Sequence, residues 1–179
     1  EAERERAWLH DVVARSLNEV YVFDPDTLRF RFANRGACRN IGYTQQELAG
    51  LTPLDIKPEF TAETFRAMLE PLRTAGRPVH VYQTVHRRKD GSEYPAEAHL
   101  QLVDAGAGAV FLCLLNDITE RRRAETRIQH LNRVYAVLSD VNQAIVRVRE
   151  PQVLLAEACR IAVETGGFRM AWVGLLDPE

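Results

Sequence analysis

The side chains best equipped for chemistry are a few histidines, cysteines, serines and arginines, and their spacing decides what they are able to do. His80, His86 and His99 fall in two extended stretches. On a strand His80 and His86 share a face but stand ~20 Å apart, too far to chelate one ion. His99 has the opposite parity to Ala96, Ala98, Leu100 and Leu102, the apolar set of its stretch. No metal site is expected. Cys38, Cys113 and Cys159 are widely spaced and odd in number, in apolar or helical surroundings, with no C-x-x-C pair among them. They read as reduced core thiols rather than zinc ligands or redox pairs. Ser16, Ser92 and Ser139 occupy no nucleophile elbow, and no His–Asp pair is spaced to serve them. Without a convergent acid, base and nucleophile no catalytic residues are expected, and the chain reads as non-enzymatic. Arg121-Arg122-Arg123 reads as the solvated start of a helix rather than a phosphate site.

The elements that must position these residues come from a chain of 179 residues with 46% apolar content, enough for one ordinary domain and part of another. Its 23 basic and 25 acidic residues nearly cancel, which argues against nucleic-acid or anionic-membrane partners drawn by bulk charge. Glu-Ala-Glu-Arg-Glu-Arg at the start is too charged for a signal peptide, and no apolar run is long enough to span a bilayer. A cytoplasmic fragment without membrane contact of its own is expected, cut from a chain whose flanking segments are not seen.

Chain character changes at residues 116–121. Before them, residues 109–115 are apolar without a break, as in a buried strand; after them no Gly or Pro intervenes until Pro151, so a long helix is expected. Asp117 and Thr119 suit this seam because short side-chain oxygens accept from N–H groups that a first helical turn leaves unpaired. Upstream, residues 1–15 place Ala7, Leu9, Val12 and Val13 at helical spacing, with Leu17 beyond. Residues 19–23 and 28–33 read as strands around Asp24-Pro25-Asp26, the second alternating Leu28, Phe30 and Phe32 with Arg29 and Arg31. Asn34 caps a short helix that Gly42 ends, and Thr44 to Glu47 is a capping box for another, closed by Gly50. Phe65, Met68, Leu69 and Leu72 form a helical stripe, kinked at Pro71 and stopped at Gly76-Arg77-Pro78. Residues 79–88 and 93–103 are strands joined through Lys89-Asp90-Gly91, and residues 104–108 turn into the last strand. Two strands, a helical crossover and three hairpin-linked strands define an antiparallel α+β domain.

The run Asn34…Gly42-Tyr43-Thr44…Glu47-Leu48…Gly50, then Arg88-Lys89-Asp90-Gly91-Ser92, then Asp117-Ile118-Thr119-Glu120-Arg121 resembles the PAS sensor family over residues 16–121. The resemblance implies the PAS fold, a five-stranded antiparallel sheet whose concave face, covered by small helices, is a pocket for a ligand or cofactor. It also implies that Asp117, Ile118, Thr119, Glu120 and Arg121 couple the sheet to an output helix. Aligned as in PAS flavoproteins, Tyr82, Thr84, His86, Ala96, Ala98, Leu100, Phe111, Cys113 and Leu115 face inward, while Phe32, Ile41, Phe65 and Met68 are placed to fill the space. A self-packed core without cofactor is expected. Heme-binding relatives carry their proximal His on the crossover helices, yet residues 34–76 hold none, leaving His86 as the one pocket-facing candidate. Flavin photochemistry needs a Cys just after the capping-box helix, where Leu51-Thr52-Pro53 stands, so Cys38 reads as a core thiol.

Beyond the seam, Ala124, Ile128, Leu131, Tyr135, Leu138, Asn142 and Ile145 step by four and three. That is a heptad seam, with Asn142 at an a position where a buried amide sets register. A parallel homodimeric coiled coil over 122–148 is expected, against the alternative of a helix lying on its own domain, since Val134, Val137 and Val141 widen the stripe. Glu150-Pro151 opens a further helix that Gly166-Gly167 stops, and residues 168–176 read as a strand. From about Leu131, and chiefly over 149–179, the chain is similar to the opening of a GAF domain. The whole reads as the sensory and dimerisation module of a bacterial-type signalling protein, feeding an effector such as a histidine kinase or a cyclic-dinucleotide enzyme. The alternative is a true chemosensor holding a heme, flavin or small molecule.

Overall fold

Alternation of large apolar and polar residues along the strands builds one sheet with one buried face. The computed structural model describes residues 8, 12–16, 18–74, 79–106 and 108–174, and the chain divides into two compact units, 1–120 and 121–179. The first contains strands β1 (Glu19–Phe23), β2 (Phe30–Ala33), β3 (His80–Arg87), β4 (Glu93–Asp104) and β5 (Ala109–Asp117), in the order β2-β1-β5-β4-β3 with every pair antiparallel. Helices α1 (Arg35–Ile41), α2 (Gln45–Leu48), α3 (Pro53–Ile56) and α4 (Ala62–Thr74) carry the chain from one sheet edge to the other. Ile41, Leu48, Ile56, Phe65 and Leu69 from these helices close over Ala96, Ala98, Leu100, Phe111 and Leu115. Phe23 anchors this core, stacked on Phe111 at 5.2 Å between ring centroids and tilted against Phe65 at 6.2 Å.

Local chemistry accounts for the element ends. Asn34 Oδ1 accepts from Ala37 N–H at 2.8 Å and Val20 N–H at 3.0 Å, while its Nδ2 donates to the carbonyls of Val13, Ser16 and Asn18. One buried amide therefore caps α1 and ties it to β1 and to the chain before it. Gly42 ends α1 at φ 83°, and Gly91 turns the β3–β4 hairpin at φ 87°, conformations that favour residues lacking Cβ. The hairpin tip docks on α1, Lys89 N–H donating to the Ile41 carbonyl at 2.9 Å. At the outer edge of β3 the Glu59 carboxylate accepts from Val85 N–H at 2.9 Å and from the Thr84 hydroxyl at 3.1 Å.

Several expectations need correction. Phe32 does not fill the core. Val22 pairs with Phe32 but Phe23 pairs with Phe30, so Arg31 is an extra residue in β2. Such a bulge turns the strand over; Phe30 is buried and Phe32 is only half-buried. Ala49, in right-handed helical conformation, rather than Gly50, ends α2. Pro71 lies inside α4, which continues to Thr74; the stop expected at residues 76–78 lies outside the described residues. Of the N-terminal helix, Trp8 and residues 12–15 are helical, and Ala7, Leu9 and Leu17 lie outside the description.

The second unit holds most of α5 (Thr119–Arg147) and all of α6 (Pro151–Glu164). Proline at its first turn starts α6, and Gly167 at φ 65° follows its end. Thr165 Oγ1 donates to Asp140 at 2.9 Å and Arg147 pairs with Glu157 at 3.2 Å, so the two helices run antiparallel. Residues 168–174 form no strand, and 175–176 lie outside the description. A strand exists through its partners, and no described segment pairs with this one.

Candidate functional site

The seam between β5 and α5 is a web of hydrogen bonds around Asp117. Its Oδ1 accepts from Thr119 N–H at 2.9 Å, satisfying a donor of the first helical turn. Its Oδ2 faces Asn40 Nδ2 at 3.3 Å and Arg88 Nη2 at 3.5 Å. Arg88 also donates to the Asn40 carbonyl at 2.9 Å and lies 4.1 Å over the Tyr94 ring. Partial burial opposes ionisation of Asp117, but bonds from Thr119 and Asn40 and the Arg88 charge outweigh it and hold the carboxyl below its ordinary range. Ile118 is buried and donates its N–H to the Pro95 carbonyl at 3.0 Å. Glu120 is exposed, and Arg121 approaches Glu125 one turn on at 3.9 Å.

Behind this web lies a polar core that sequence reasoning missed. Glu19, 3% exposed, accepts from Tyr21 at 2.7 Å, from Tyr94 at 2.9 Å and from Asn40 at 2.7 Å. Burial raises its pKa while those three bonds restrain the rise. Tyr94 in turn meets His86 Nδ1 at 3.3 Å. His86, 1% exposed, is driven well below its ordinary pKa by burial and by Lys57, so its imidazole is neutral at pH 7. Lys57, 3% exposed, lies 5.1 Å over the Tyr82 ring, its pKa pulled down to about 8 by burial. Burial pushes the Cys113 thiol up to about 11, so it stays protonated.

Thr84, Ile41, Phe65, Ala96, Ala98, Leu100, Phe111, Cys113 and Leu115 are all buried with His86, and Tyr82 and Met68 are half-buried at the margin. What remains between them is a cavity of about 10 Å³ bordered by Tyr21, Phe30, Lys57, Tyr82, His86 and Cys113, among others. Ligand pockets run to hundreds of Å³. Neither a flavin nor a heme fits this core as packed, and His86 Nδ1 is already engaged. Among the described residues, no three His, Cys, Asp or Glu side chains gather as a metal site needs. No signal in the sequence marks Lys57, which follows Ile56 in an irregular stretch, or Glu19, which opens a strand beside Asn18.

Within the second unit the seven seam residues of α5 are exposed, Ile128, Leu131, Tyr135, Leu138 and Ile145 by 45–67%. The face that packs on α6 is a different one, with Ala144 buried and Val137 and Val141 half-buried. About 100° of helix separates each from its seam neighbour.

An antiparallel five-stranded sheet roofed by small helices and tied at its last strand to a long helix defines a class of sensor domains. The family model for the PAS domain matches residues 18–120, and the chain belongs to that family. It is 22% identical over 162 residues to the methyl sulfide methyltransferase-associated sensor of Methanosarcina acetivorans, a match covering 89% of this chain and 16% of that protein. The chain thus spans about a sixth of that relative's length. The PAS domain of an HTR-like protein from Haloarcula marismortui superposes with a TM-score of 0.58 at 24% identity, over 65% of this chain and 99% of that one. An RNA-binding light-oxygen-voltage receptor superposes with a TM-score of 0.58 at 20% identity, over 71% of this chain and 37% of that one. Among the described residues no helix is long and apolar enough to cross a membrane.

Proposed function

We propose that the chain is a sensory and dimerisation module of a larger signalling protein. The PAS core sets the state of β5, the Asp117-Ile118-Thr119 junction passes it to α5, and a parallel coiled coil of two α5 helices carries it onward. The observation behind this reading is the seam itself, an apolar heptad stripe exposed on a helix that begins two residues after Asp117. A second copy supplies the same stripe, and Asn142 at an a position sets the register. With α6 on a separate face, the pair forms a four-helix arrangement that opens a GAF-like domain, and a histidine kinase or cyclic-dinucleotide enzyme follows. The fragment is itself non-enzymatic and cytoplasmic, without nucleic-acid or membrane partners. That its relative is named a sensor supports the reading. Insertions at Gln129 in the full-length protein test it. Seven residues restore the seam and preserve output, whereas four shift its phase and alter output sharply. An insertion series without phase dependence removes the coiled coil from the mechanism.

A chemosensory reading has its own observation in its favour: two buried nitrogens, Lys57 Nζ and His86 Nε2, have no hydrogen-bond partner among the described residues.

A further inference from the structure

Three backbone carbonyls ahead of the first strand converge on one buried side chain. Asn34, 1% exposed, donates through Nδ2 to Asn18 at 2.9 Å, to Val13 at 3.1 Å and to Ser16 at 3.3 Å. Val13 lies among the helical residues 12–15, and the Ser16 N–H closes their last turn by donating to the Val13 carbonyl at 3.3 Å. A helix leaves its last carbonyls unpaired, and Asn34 supplies the donor they lack. Its amide has two hydrogens for three acceptors, so the segment has more than one way to be held. The oxygen of the same amide works in the other direction. It accepts from Ala37 N–H at 2.8 Å, in the first turn of α1. One planar group thus grips both the segment before β1 and the start of α1, and cannot turn toward one without disturbing the other.

Helix α1 is short enough to move as one body. Its seven residues span about 10 Å at 1.5 Å per residue, and Ala37 and Ile41, one turn apart, are wholly buried against the core. Its far end carries Asn40, whose Nδ2 donates to Glu19 at 2.7 Å and faces Asp117 Oδ2 at 3.3 Å. Asn40 Oδ1 accepts from Arg88 Nη2 at 3.0 Å, and the same nitrogen stands 3.5 Å from Asp117 Oδ2. Asp117 Oδ1 in turn holds the Thr119 N–H at 2.9 Å, where α5 begins. The upstream carbonyls and the output helix are therefore fastened to opposite ends of one rigid element.

We propose that α1 is an input arm. A displacement of residues 12–16, imposed from the N-terminal side, moves Asn34, tilts α1 on its buried face and reaches Asp117 through Asn40. The PAS unit then works as a relay between the helical segment that enters it and the helix that leaves it, and its input needs no ligand in the core. This deepens the reading above and rests on it, since it names what sets the β5–α5 junction whose state α5 carries onward. Asn34 and Asn40 are the positioning residues of the relay, one at each end of α1.

The test separates the two halves of the Asn34 amide. Asn34→Asp keeps the oxygen that caps α1 but replaces the nitrogen that holds the three carbonyls, so it cuts the upstream tie alone. Hydrogen exchange of the 179-residue chain is expected to show Thr119 and the first two turns of α5 exchanging at least about fivefold faster in the variant, while β4 and β5 keep their protection. Asn40→Ala cuts the arm at its other end. In that background Asn34→Asp is expected to change α5 exchange by less than about twofold, whereas independent sites give the same factor in both backgrounds. Asn34→Ser, whose hydroxyl caps the helix but is too short to reach the three carbonyls, repeats the cycle if the buried carboxylate prevents folding. Unchanged exchange in α5, an equal factor in both backgrounds, or uniform loosening of the sheet overturns the proposal. Sedimentation of the same samples is read separately. A dimer whose α5 ignores Asn34 retires the arm and leaves the dimerisation module standing, whereas a monomer in which the cycle still shows coupling retires the coiled coil and keeps the arm.

Discussion

Glu19 shows how much one buried carboxylate holds. Removing it leaves the buried Tyr21 hydroxyl without its acceptor, and leaves Tyr94 with only His86 Nδ1 at 3.3 Å and Asn40 with only Asp117 Oδ2 at 3.3 Å for those donors, and a buried donor left unpaired costs roughly 1–3 kcal/mol. Glu19→Ala is expected to lower stability by about 3 kcal/mol in urea melts, and Glu19→Gln by less, because one acceptor oxygen survives. Equal losses for the two variants would contradict the network. Lys57 works in the opposite direction. Its pKa falls from 10.5 to about 8 on folding, so the folded state is penalised wherever the ammonium is charged, below about pH 8. That penalty disappears between pH 8 and 10.5, where the unfolded chain alone still holds the proton. Lys57→Met is therefore expected to stabilise at pH 7 by about 1–3 kcal/mol, with the gain fading by pH 10. Loss of the Lys57 charge also lets the His86 and Cys113 pKa values rise, since that charge lowers both. A gain that is the same at both pH values would show that Lys57 is not the titrating group.

At the scale of elements the junction is the sensitive point. Asp117→Ala removes the acceptor for Thr119 N–H and the anchor shared by Asn40 and Arg88. A loss of about 1 kcal/mol is expected, confined to the start of α5. Hydrogen exchange resolves it: amides of the first turn should exchange faster while those of β1 and β4 keep their protection, and uniform loosening would argue for a general role instead. The elements themselves were largely legible in the sequence because their signals are local. Asn34, Gly42, the Thr44–Glu47 box and Gly91 each mark an end by their own backbone requirements. What escaped depends on partners. The bulge at Arg31 exists only in the pairing of β1 with β2, so alternation alone placed Phe32 inside. Residues 168–174 have strand composition but lack a described neighbour to pair with. The polar core was illegible for the same reason: nothing near Lys57 or Glu19 in sequence encloses it, and the enclosing rings come from β1, β3 and β4.

For the whole molecule the decisive quantity is association. The exposed stripe of α5 predicts a dimer in sedimentation velocity at tens of micromolar, and a chain that stays monomeric there would leave α5 a surface helix. Asn142→Ile replaces an exposed amide at an a position with an apolar knob. It is expected to tighten the dimer about tenfold or more while relaxing its register or strand number. The margin of the sheet is itself guarded against pairing by Glu59. A free edge strand invites a second chain to extend the ladder. On β3 the Val85 N–H that would begin such a ladder already donates to Glu59 Oε2. Any incoming strand must first displace a carboxylate and then lie beside its charge. Glu59 thus works as a bolt on that edge of the sheet, and Glu59→Ala should open a route to strand-to-strand aggregation that the parent chain lacks.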